Sequence, residues 1–202
     1  MKKFVTASRS LIRHGQCVVL ACGLLQGALM AQDTHNHATT EAAQAKAPSA
    51  TFLQSELLKV VRDATQRFQT PAAAEAEGYQ LQFGCVTGSD DGAMGLHYVN
   101  GALVNSGILD PTKPQIVIFE PQPNGTPKLI GADFLVLANQ WNASHTGPPE
   151  MMGQLFHLFD APNRFGLPAF YTLHVWAWKE NPKGAFTNWH PNVSCEYFSG
   201  QK

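Results

Sequence analysis

The sequence predicts an α+β fold, an N-terminal helix packed on a mainly antiparallel sheet that could curl into a barrel-like form. Three observations carry that prediction. Leu53, Leu57, Leu58, Val61, Ala64, Thr65 and Phe68 recur at spacings of three and four, the period of an amphipathic helix. Beyond Gly78 the chain changes to short alternating or β-branched runs separated by turn residues, with QIVIF at 115–119 the clearest. Asn124-Gly125 joins two such runs, and that dipeptide favours the tight turn of an antiparallel hairpin.

Residues 1–31 read as a cleavable secretory signal. Lys2, Lys3, Arg9 and Arg13 form a basic start without an acid, an apolar stretch runs from Cys17 to Met30, and Ala31 suits the position before a cut at Gln32. The stretch is shorter than the ~20 apolar residues a membrane span needs. Val19-Leu20-Ala21-Cys22 loosely resembles a lipoprotein signal, which leaves lipid anchoring as a second reading. Residues 32–50 are rich in Ala, Thr and Gln and read as a flexible lead-in whose His35 and His37 could catch a metal or be incidental. Residues 51–202 then form one globular domain.

The first helix can be capped by Thr51 or Ser55 and stops at Thr70-Pro71, and a short turn through Ala72–Glu77 ends at Gly78. Strands are expected at Tyr79–Phe83, Leu96–Val99, Gln115–Phe119, Leu129–Leu137, Leu155–Phe159 and Phe170–Trp178, with 138–153 a long polar loop.

The whole chain carries 14 Lys+Arg and 15 Asp+Glu; without the signal's four basic residues the balance is 10 against 15, a formal −5. A mildly acidic chain without basic runs argues against nucleic acid or anionic lipid as its partner. Export also removes Cys17 and Cys22 and leaves Cys85 and Cys195, which in an oxidising compartment most simply form one disulfide. A thiolate ligand or nucleophile is the other use of such a pair. No Gly-x-Ser-x-Gly elbow, GxGxxG or P-loop is present.

Seven histidines remain. His97 lies in a strand beside glycines, and His174 lies on the strand face that alternation gives to Trp176 and Trp178. Glu120 ends the QIVIF strand on the face of Ile116 and Ile118, and Asp133 lies between Ala132 and Phe134. A carboxylate on an apolar strand face needs a partner. One reading brings His97, Glu120 and His174, with Asp133, around a divalent metal: Zn²⁺, non-haem Fe²⁺ or Cu²⁺. The other makes each histidine a hydrogen-bonded core residue and pairs Glu120 with a lysine or a backbone amide. Spacing does not decide between them. His157 reads as a half-buried, satisfied imidazole, His190 as part of a loop capping the sheet, and His145 as solvated. Trp176, Trp178, Phe186, Trp189, Tyr197 and Phe198 could line a ligand groove or fill the core.

The blocks GCVTGSDDGAMGLHYVN (Gly84–Asn100), IVIFEP (Ile116–Pro121) and LHVWAWKENPKGAFTNWHPNVSC (Leu173–Cys195) resemble a family of exported bacterial proteins. That family shares a GAMG-x-HYVN block and an LHVW…NP…W-x-P-x-VSC ending. The resemblance covers roughly Thr65 to Cys195 and picks out His97, Glu120, His174 and the Cys85/Cys195 pair, but it brings no activity with it. The family pattern has Glu where this chain has Asp133 and Asn where it has His190. The expectation is a periplasmic or secreted metal-binding protein, or a metal-dependent enzyme acting on a small molecule. The rival expectation is a non-catalytic binding or envelope-associated module with an aromatic-lined surface.

Overall fold

A computed structural model of the chain describes residues 50–88 and 90–200. The signal, the lead-in with His35 and His37, and the side chains proposed to cap the first helix lie outside the described residues. The fold is mixed helix and antiparallel sheet. Six strands form an open half-barrel in the order β1 (Gln80–Thr87), β2 (Ala93–Val99), β3 (Ile116–Glu120), β4 (Lys128–Leu137), β8 (Phe170–Val175), β7 (His157–Phe159). Every pairing in it is antiparallel. The sheet does not close, because β1 and β7 remain its edges.

Two helices cover one face. α1 (Ala50–Thr65) places Leu57 and Val61 against Ala132, Phe134, Leu173 and Val175. It is tied down where Arg62 donates to the Ala177 carbonyl and the Trp178 indole donates to Thr65 Oγ1. α2 (Pro71–Ala76) starts where Thr70 Oγ1 accepts the Ala73 amide and Pro71 supplies a preset first turn. Ala74 then joins Phe68 and Tyr79 in a cluster over Leu96, Val117 and Phe119. β4 is buried on both faces over most of its length, as a central strand covered on each side.

Alternation sends the other residues of the same strands to the opposite face: Val99 and His97, Ile116 and Ile118, Asp133 and Leu135, Thr172 and His174, His157 and Phe159. The 160–167 loop and the 185–195 segment close over part of this face, where Ala93 and His190 exchange backbone hydrogen bonds. Cys85 and Cys195 form the expected disulfide, with Cα atoms 5.7 Å apart and 110 residues between them in sequence.

Several expected elements are corrected. The polar stretch 138–153 is not loop throughout: it holds α4 (Ala138–Asn142) and β5 (Glu150–Met151), and β5 pairs with β6 (Gln154–Leu155). The strand expected at Leu155–Phe159 is therefore split between two sheets. α3 (Gly101–Ser106), capped by Asn100 Oδ1 accepting the Leu103 amide, had no counterpart in the sequence reading. β8 ends at Val175, so Trp178 leaves the face of His174 and packs beneath α1. Alternation held only as long as the strand did.

Candidate metal centre

Strand register brings the site together. Asp133 pairs directly with Ile116 on one side and His174 on the other, while His97 stands opposite Ile118 on the next strand over. One donor atom from each of His97, Asp133 and His174 lies within 4.8 Å of the other two, and all three residues are buried. Two donors on one ion at ~2.0–2.1 Å each are at most ~4.2 Å apart, so small side-chain rotations close this set around an ion.

Each member is oriented by a neighbour. His97 can donate its Nδ1–H to the Gly95 carbonyl at 3.2 Å, a tautomer that leaves Nε2 as a lone-pair donor. Gly95 has φ +91°, and a Cβ there would stand 2.6 Å from the Phe119 carbonyl oxygen. The glycine is what lets β2 approach β3 so closely. The Thr172 hydroxyl donates to Asp133 Oδ1 at 2.5 Å and fixes that carboxylate from the next strand. His174 differs from both. Its Nδ1 is 3.7 Å from Asp133 Oδ1, too far for a hydrogen bond, and both of its ring nitrogens are buried without a hydrogen-bond partner.

The electrostatics follow from burial. His97 and His174 are 6 % and 2 % exposed. Burial holds the His97 pKa down at about 4, with the neighbouring His174 adding to the effect and Asp133 opposing it. Burial likewise holds His174 at about 3, helped by the nearby His157 and opposed by the Asn188 side chain, which approaches the ring without meeting hydrogen-bond geometry. Asp133 is pushed up to about 6 because its charge is desolvated, against the lowering effects of the Thr172 hydroxyl and His97. Near neutral pH the set is two neutral imidazoles and a largely ionised carboxylate, the protonation states that metal ligation requires.

A cavity of about 30 Å³ adjoins the cluster. A site needs roughly 10–15 Å³ of such space to hold a water, so one small guest fits. Its far wall is aromatic. Phe159 stacks on Phe170 with centroids 5.2 Å apart, Phe165 sits edge-on to Phe170 and tilted to Phe159, and Phe83 meets Phe165 at 5.4 Å. Phe83 arrives through a bulge in β1: Gln82 pairs with His97 and Cys85 with Leu96, so Phe83 and Gly84 are the inserted residues, each with φ 62°. A phenylalanine in the left-handed region is strained, and here it is also 47 % exposed.

The structure divides the residues proposed from sequence. His97, Asp133 and His174 come together; Glu120 does not join them. Both Glu120 oxygens receive the Lys179 ammonium at 2.7 Å, and Oε1 also accepts the Ser194 amide. Lys179 additionally donates to the Asn192 carbonyl, which fixes the C-terminal segment to the end of β3. His190 is fully buried and satisfied, with Nε2 against the Glu180 carbonyl and Nδ1 accepting the Asn192 amide. His157 is exposed rather than half-buried, bonded to Asn188 Oδ1 across from Thr172. His145 is exposed and stacked on Trp141 at 3.6 Å.

The aromatic residues proposed to share a groove are dispersed. Trp176 is buried between His174 and His190, Trp178 lies under α1, and Trp189 faces Arg164. Sequence reasoning missed Thr172, Phe83, Phe159 and Phe165. Thr172 could have been found, since Thr-x-His in a strand places both side chains on one face. Phe83 and Phe165 had no comparable signal, because a bulge and a loop bring them in, whereas Phe159 sits in β7 opposite Phe170.

No family model, curated protein or solved structure matches this chain, and the functional reading rests on the site's own geometry.

Proposed function

We propose that this chain is an exported metal-binding protein in which His97, Asp133 and His174 hold one divalent transition-metal ion. One observation carries the reading: the buried His174 ring has no hydrogen-bond partner on either nitrogen, yet stands within reach of a second imidazole and a carboxylate. A buried polar group left unpaired costs about 1–3 kcal/mol, so a purely structural histidine is normally satisfied. An ion taking the neutral ring's lone pair satisfies one of the two nitrogens. It would also join Asp133 and the two neutral rings in one group, in which the carboxylate offsets part of the ion's charge.

Two imidazoles and one carboxylate suit Zn²⁺ or Fe²⁺, with Cu²⁺ also compatible, and three protein ligands leave coordination positions for water or a small molecule. A bound ion there would supply Lewis acidity or an acidified water. The residues around it act on access: the ring cluster of Phe83, Phe159, Phe165 and Phe170 limits bulk water, and Thr172 holds the carboxylate in place.

Export is supported by the N-terminal signal pattern and is compatible with the Cys85–Cys195 disulfide. Among the described residues no helix is long and apolar enough to cross a membrane.

Titration of dialysed protein with Co²⁺ tests the site. One equivalent should produce visible ligand-field absorption, absent in His174→Gln with an unchanged circular dichroism spectrum. A folded wild-type protein with no such absorption at excess Co²⁺ contradicts the reading.

A further inference from the structure

The cavity at the cluster does not stand alone on its sheet face. Beside it runs a groove of about 390 Å³ that shares Phe83, Ile116, Leu135 and Leu167 with that cavity and continues along Val104 and Leu137. Both lie on the sheet face defined by the register of Val99, Ile116 and Asp133. Small-molecule sites are typically concave, mostly apolar spaces of ~300–1,000 Å³ with a few placed polar groups. Here the walls are mostly aliphatic, the amides of Gln80, Gln82 and Asn105 add polar groups, and the His–Asp cluster lines the adjoining cavity. Phe83, at its strained bulge position, is the one aromatic residue among the four that line both spaces.

We propose that this groove binds the apolar tail of a slender ligand, a straight alkyl chain ending in an oxygen head group, with the head directed past Phe83 toward His97, Asp133 and His174. The tail subsite stands on the groove alone; the placing of the head rests on the metal reading above. Among the described residues no cationic side chain lines the groove. A carboxylate head would therefore find its counter-charge only at the bound ion, and a neutral alcohol would bind through its tail alone.

The test uses the purified protein and two probe series, 1-alkanols and alkanoates of four to ten carbons, followed by titration calorimetry. In metal-free protein, 1-alkanol affinity should rise about fourfold per added methylene until the groove is filled. Gly101→Trp and Asn105→Trp should each weaken 1-octanol at least tenfold without lowering the thermal midpoint. Gly101 lines the groove mouth, and a Cβ there meets nothing within 4 Å; Asn105 lies one turn later on α3 and is exposed. Loading with Zn²⁺ should tighten octanoate at least tenfold and leave 1-octanol unchanged.

An affinity independent of chain length, or tryptophan variants that bind as well as wild type, overturns the tail subsite whatever the metal does. Equal octanoate affinity with and without Zn²⁺, in protein shown to bind Zn²⁺, overturns the placing of the head. If a second copy of the chain covers this face instead, octanol titrations are flat and the tryptophan variants dissociate a dimer in sedimentation. That result also overturns the proposal.

Discussion

His174 is held where a histidine gains little from being neutral and cannot afford to be charged. Its neighbours supply a carboxylate 3.7 Å away and a second imidazole, and no hydrogen bond. Asp133 owes its orientation to Thr172, whose hydroxyl donates to the oxygen nearest His174. Thr172→Val keeps the shape and removes that donor, so metal affinity should fall by about 10–100-fold, the usual effect of losing a group that orients a ligand. Folding stability should fall by about 1–3 kcal/mol, read from the urea midpoint. The two carboxylates show what was legible at this scale. Both could be read in the sequence as charges on apolar strand faces. Which one meets the histidines depended on register, and Lys179, the partner that takes Glu120 away, lies 59 residues further along the chain.

Strands were the elements best written in the sequence, because β-branched runs and an Asn-Gly turn are local signals. α3 and α4 were not, since six and five residues are too few to show a helical period. The bulge at Phe83-Gly84 was also hidden: it depends on how β1 pairs with β2, and neither residue announces it. Gly95 is the element-scale determinant of the site. Its conformation and its 2.6 Å virtual contact with Phe119 mean that Gly95→Ala must push β2 from β3. The substitution should cost more than about 1 kcal/mol, with an unchanged urea m-value. It should also weaken metal binding by moving His97.

At the scale of the molecule, the disulfide closes a sequence separation of 110 residues. A loop of that length is worth up to ~4–5 kcal/mol in the chain-entropy model, so reduction should lower the thermal midpoint by many degrees. The buried cluster adds a pH dependence to the metal-free protein. His97 and His174 sit at about 4 and 3, below the ordinary 6.5, so their contribution is complete above pH 6.5 and lost as pH falls through those values. Asp133, raised from 3.8 to about 6, acts oppositely: its contribution is complete below pH 3.8 and lost as pH rises through 6. Between about pH 6 and 4 two histidine protons outweigh one carboxyl proton, a net loss of about 1.4 kcal/mol per pH unit on acidification. Denaturant titrations across that range should show this slope in wild type and a reversed one in a His97→Gln/His174→Gln double variant, where only Asp133 remains.

The central claim concerns which residues hold the ion, and elemental analysis of purified, Zn²⁺-loaded and gel-filtered variants tests it most directly. Wild type and Glu120→Gln should each retain about one equivalent of zinc, while His97→Gln, Asp133→Asn and His174→Gln, each verified as folded, should retain almost none. Zinc held equally by all five proteins, or lost only with Glu120→Gln, would contradict the assignment.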